Sequence, residues 1–94
     1  SSSFSSLDEL AKLMGINSTW KLRISGHTDN VGSRDANLGL SKRRSESVKK
    51  YLVSKGIASD RFEVLYFGPD KPIAPNNTED GRARNRRVEM LIVE

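Results

Sequence analysis

The chain has no cysteine, one histidine, one tryptophan and three prolines in 94 residues. Without cysteine there is no disulfide framework, no thiol nucleophile and no thiolate-ligated zinc, while the compartment stays open. One histidine with no carboxylate at helical ligand spacing is too poor a donor set for a metal, so neither a metal nor any other cofactor is expected. No apolar run approaches the ~20 residues that a helical bilayer crossing requires. Aromatics make up only 6% of the chain, which leaves few side chains for stacking on bases. All the prolines fall in one stretch, PDKPIAP, so a loop is expected there and regular structure elsewhere.

What is present is charge, arranged around periodic apolar blocks. Sixteen Lys and Arg against twelve Asp and Glu give a net charge of +4, which suits an anionic partner but also serves ordinary solubility. The hydrophobic fraction of 35% is low, yet its periodic placement argues for one folded domain over the whole of 1–94.

The opening SSSFSS is serine-rich. Ser6-Leu7-Asp8-Glu9 then has the spacing of a capping box, and Leu7, Leu10, Ala11 and Met14 form the apolar face of a short helix that Gly15 should end. Trp20, Leu22 and Ile24 alternate with polar residues, the period of a half-buried strand. From Asp35 or Asn37 to Lys55 the pattern is helical, with Gly56 placed to cap it. FEVLYF over 62–67 reads as a second strand, Thr78 can start a helical turn reaching Arg84, and Arg87 to Val93 alternates as a third strand. The predicted order is αβαββ, and the expected class is α+β. The simplest layered solution is a two-layer α/β sandwich with helices on one face of a single sheet.

Two regions could carry chemistry. On the long helix, Asn37, Ser41 and Arg44 share the edge of the buried stripe, whereas Lys42, Arg43, Glu46, Lys49 and Lys50 belong to the solvated face. A half-buried arginine needs an anionic partner, and Asp29, in the loop entering the helix, is the nearest candidate in sequence. From the residues alone two readings stand. Either Asp29 and Arg44 form an internal ion pair, or they take the ammonium and the carboxylate of a zwitterionic ligand, with Asn37 as donor and acceptor and Gly32 allowing close backbone approach. Ser25, His27 and Asp29 are too close in sequence for a hydrolytic triad, so His27 is expected to be a packed, hydrogen-bonded brace and no enzymatic activity is expected. The second region is DGRARNRRVE, whose Arg82, Arg84, Arg86 and Arg87 keep nucleic-acid binding open as a rival. A purely structural protein-interaction domain is a further alternative.

The runs GHTDNVG, LSKRRSESVKKYL and NNTEDGRARNRRVE, with Asn37 between the first two and FG before the proline loop, closely resemble the OmpA-like peptidoglycan-binding domain. The resemblance extends from about Trp20 to Val93. It implies a βαβαββ fold whose first strand is missing here, so that this chain is expected to be a fragment of a longer protein. It also implies non-covalent binding of peptidoglycan through the diaminopimelate of the stem peptide, with no nucleic acid as partner. The location implied is the periplasm, with a membrane-anchored parent at the outer membrane. By position, Asp29 resembles the aspartate that takes the diaminopimelate ammonium, and Arg44, fifteen residues later, the arginine that takes its carboxylate. Thr28, Asn37 and Gly32 resemble neighbouring pocket positions, and Arg87 resembles an arginine that shapes the site. Ser45 stands where the family usually has alanine. The missing strand would leave an exposed sheet edge open to pairing with a second copy of the chain.

Overall fold

The computed structural model describes residues 6–94, so the serine-rich lead over 1–5 lies outside it. The elements run α1 (Leu7–Ile16), β1 (Lys21–His27), α2 (Arg34–Ser54), a single 3-10 turn (Ser59–Arg61), β2 (Phe62–Gly68), α3 (Glu79–Asn85) and β3 (Arg87–Val93). The α+β class holds. The expected order changes only in that the turn after Thr78 is a seven-residue helix, α3.

Local signals set most of the boundaries. Ser6 caps α1 by accepting the Glu9 N–H at 3.1 Å. Gly15 does not end that helix: Asn17 does, its backbone and side-chain N–H groups both bonding the Leu13 carbonyl. Ser33 caps α2 by accepting the Ala36 N–H, and Thr78 caps α3 by accepting the Gly81 N–H. Both hydroxyls satisfy an N–H that the first helical turn leaves without a partner.

The sheet has the order β2-β1-β3, with β1 parallel to β2 and antiparallel to β3. A parallel pair needs a long crossover, which α2 supplies. Leu22 and Ile24 of β1 lie beside Ile92 and Met90 of β3 and project toward the helices. There they join Leu10, Ala11, Met14, Leu52 and Ile57 in the core. The opposite positions, Arg23, Ser25 and His27, lie beside Leu91, Glu89 and Arg87 on the other face.

The helix-to-sheet contact is unusually close at one point. A methyl group built on Gly26 would lie 2.3 Å from the Ser41 carbonyl oxygen and 2.5 Å from Ser45 Oγ. Ser41 and Ser45 are fully buried and sew the layers together. Ser41 Oγ accepts the Gly68 N–H at 3.0 Å, and Ser45 Oγ donates to the Leu65 carbonyl at 3.0 Å. This seam fixes where β1 hands the chain to the loop at 28–33.

Candidate functional site

The loop after β1 is braced from three sides. The Thr28 N–H donates to the Gly68 carbonyl at 2.9 Å, and its hydroxyl donates to the Asp29 carbonyl at 2.8 Å. Asn37 Nδ2, from the first turn of α2, donates to the Val31 carbonyl at 2.9 Å. Gly32 takes φ +88, a left-handed conformation that a side chain would strain, and this turns the chain into the Ser33 cap. Thr28, Asp29 and Asn37 are all buried.

The Asp29 carboxylate is held by two donors. Oδ1 accepts the Val31 N–H at 3.0 Å and Oδ2 accepts Arg86 Nη1 at 2.8 Å. The Arg86 hydrogen bond, followed by that of Val31, holds the Asp29 pKa below the usual aspartate value, against the opposing effect of burial. Asp29 is therefore an anion under ordinary conditions. Of the two readings open from the sequence, the internal Asp29–Arg44 ion pair is not formed: Asp29 pairs with Arg86, which arrives at the junction of α3 and β3. Arg86 Nη2 also bonds Glu79 Oε2 at 2.7 Å, so one guanidinium links two carboxylates.

Arg44 lies on α2, half-buried, on the same helix edge as Asn37 and Ser41. Among the described residues its side chain makes no hydrogen bond and no ion pair. Arg87 points elsewhere. Its guanidinium bonds Glu89 Oε2 at 2.7 Å, the Lys71 carbonyl at 3.1 Å and the Asn85 carbonyl at 3.3 Å, tying the proline loop to β3. The structure thus gathers Thr28, Asp29, Gly32 and Asn37 in one loop-and-helix unit. Arg44 lies further along the same helix, and Arg86, which sequence reasoning did not single out, takes the position at Asp29.

His27 is packed as expected, 2% exposed and stacked on Phe67 at 5.4 Å between ring centroids. The expected hydrogen bond is absent: among the described residues neither ring nitrogen has a partner, and Nε2 stands 3.7 Å from Glu89 Oε1. Burial, then the positive charge of Arg87, lower its pKa. Glu89 opposes them and Lys71 adds to the depression, so the ring is neutral at pH 7.

A second residue missed in the sequence is Asn85, fully buried at the end of α3. Its Oδ1 accepts the N–H groups of Ile73 and Ala74, and its Nδ2 donates to the Ala74 carbonyl and to Asn76 Oδ1. Its only sequence signal is a polar residue at the end of a helical turn facing a proline-rich loop. The arginine cluster around it is largely occupied. Arg82 bonds Glu79 and the Asn76 carbonyl, while Arg86 and Arg87 are engaged as described, so only Arg84 is left for phosphates. That weighs against the nucleic-acid reading. Among the described residues there is no group of three or more His, Cys, Asp or Glu able to hold a metal, and no helix is long and apolar enough to cross a membrane.

Comparison with known proteins agrees with this architecture. The peptidoglycan-binding protein ArfA of Mycobacterium tuberculosis is 44% identical over 72 residues, covering 77% of this chain and 22% of ArfA. The outer membrane protein A of Bordetella avium is 54% identical over 68 residues, covering 72% of this chain and 35% of that protein. The chain thus spans well under half the length of these curated relatives. Among solved structures, the peptidoglycan-associated lipoprotein from Burkholderia pseudomallei superposes with a TM-score of 0.89 at 29% identity, covering 93% of this chain and 74% of that one. The C-terminal domain of Helicobacter pylori MotB gives 0.84 at 25% identity, covering 94% of this chain and 69% of that one. A profile described as the OmpA family matches residues 1–86, and the chain belongs to that family.

Proposed function

We propose that this domain binds peptidoglycan non-covalently, without catalysis, by holding the free end of a diaminopimelate side chain between Asp29 and Arg44. The observation that carries the reading is the pairing of opposites along one strand–loop–helix unit. A buried, ionised carboxylate stands in the loop two residues past β1, and a partly buried arginine whose side chain has no internal partner sits on the helix that follows. The free end of diaminopimelate is a zwitterion. Its ammonium suits Asp29, and its carboxylate suits the fork of Arg44, which can bond both oxygens at once. Thr28, Asn37 and Gly32 hold the loop in shape for this contact, and Arg87 holds the proline loop beside it.

A stem peptide carrying lysine in place of diaminopimelate lacks the second carboxylate and leaves Arg44 unpaired, so it binds less tightly. Relatives named for peptidoglycan binding or association support the polymer as partner, and the periplasm of a cell with an outer membrane, with a membrane-anchored parent, is the setting this implies. The test is co-sedimentation with purified diaminopimelate-type peptidoglycan. Asp29→Ala and Arg44→Ala should each leave most of the protein in the supernatant. If both folded variants pellet as well as the unaltered protein, the assignment is wrong.

A further inference from the structure

Asp29 is already paired before any ligand arrives, and the manner of that pairing is informative. Arg86 gives Asp29 a single guanidinium nitrogen, while its other arm rests on Glu79, a residue whose side chain is 65% exposed. Arg86 itself is 36% exposed in its side chain. Arg87 is held differently: its guanidinium makes three bonds at once, to Glu89, Asn85 and Lys71, and is only 15% exposed. The Asp29 carboxylate does not depend on Arg86 for its aim, because the Val31 N–H pins Oδ1. Removing Arg86 from Asp29 therefore leaves the acceptor in position and leaves Arg86 with a partner.

We propose that Arg86 is a displaceable internal counter-ion, which occupies the ammonium position at Asp29 and moves onto Glu79 when a cationic ligand group enters. It sets which cations reach Asp29, since an entering ammonium must outcompete a guanidinium already there. Glu79 acts through Arg86, as a positioning residue that makes the exchange reversible. This rests on the reading of Asp29 as the ammonium acceptor.

The test is calorimetric titration of the 94-residue chain with a soluble diaminopimelate-containing stem peptide. The same peptide, acetylated on its free diaminopimelate ammonium, is the control. Arg86→Gln keeps a hydrogen-bond donor and removes the competing charge, and should bind the free peptide about two- to fivefold more tightly, the range expected for losing a part-exposed pair. Glu79→Gln removes the alternative partner and should bind it more weakly by a similar factor. Neither variant should alter binding of the acetylated peptide. A general disturbance of the fold would move both variants the same way and both peptides together. If Arg86→Gln binds no more tightly while Asp29→Ala abolishes binding, the counter-ion role is overturned and the site stands. If Asp29→Ala binds as well as the unaltered protein, the site itself falls and the inference with it. Should Arg86→Gln fail to fold, exposed Glu79→Gln decides alone: unchanged or tighter binding overturns the proposal.

Discussion

Replacing Gly26 by alanine tests the seam that positions the site. The added Cβ would lie 2.3 Å from the Ser41 carbonyl oxygen, against an ordinary contact of 3.4–4 Å, and 2.5 Å from Ser45 Oγ. The closer obstacle is backbone, so no rotamer change relieves it and α2 must retreat by about 1 Å in a close-packed layer. Overpacking of this kind costs about 1–3 kcal/mol. The retreat also stretches the bonds of Ser41 to Gly68 and of Ser45 to Leu65, each worth ~1 kcal/mol. Against these stands a gain of ~0.4–1 kcal/mol from restricting the unfolded chain. The net expectation is a loss of about 2–4 kcal/mol, a fall in Tm of about 10–25 °C for a domain of this size. Urea and thermal unfolding followed by circular dichroism measure it. On the proposed function, peptidoglycan binding, assayed at a temperature where the variant is folded, should fall as well, because α2 carries Asn37 and Arg44. An unchanged or raised Tm would refute the reasoning, since the entropic gain would then be the only term acting.

Two further outcomes follow from the groups around the site. Folding depresses the His27 pKa below its ordinary 6.5, so the contribution of the neutral ring is complete above that pH and is lost as pH falls through the folded value. His27→Gln should flatten the loss of stability that sets in as pH falls below 6.5, while leaving the later loss that sets in below 3.8, where the unfolded chain protonates the aspartate that the fold keeps ionised; an unaltered slope just below pH 6.5 would contradict it. Asn85→Ala removes the partner of the Ile73 and Ala74 N–H groups, and should cost about 2–4 kcal/mol and open the proline loop to limited proteolysis; cleavage no faster than in the unaltered protein would contradict the knot assigned to Asn85.

The elements were legible where one physical signal dominated. The alternation from Arg87 to Val93 gave the third strand to the residue, and the serine and threonine ahead of α1 and α3 marked their starts. The start of α2 at Ser33 is not marked by an apolar pattern, since charged residues follow the cap. Ser41 was legible on the buried stripe of α2, but the role of the Ser41–Ser45 pair was not, because close approach depends on Gly26 in a different element. The same limit hid Arg86. Two adjacent arginines cannot be told apart by spacing, and a one-residue difference at the start of β3 decides which of them reaches Asp29 and which reaches Glu89. His27 was legible as packed, while its bare ring nitrogens depend on a neighbour that stands slightly too far away.

The placement of Asp29 two residues past the end of the central strand has a mechanical consequence. If the domain tethers a parent protein to the cell wall, tension enters through the loop and runs along β1. That strand is bonded on one side to β2 and on the other to β3, in opposite senses. A pull along it loads both ladders together in shear, so that neither neighbour can be unzipped one bond at a time. A pull along either outer strand would load a single ladder; along β1 it is shared by two.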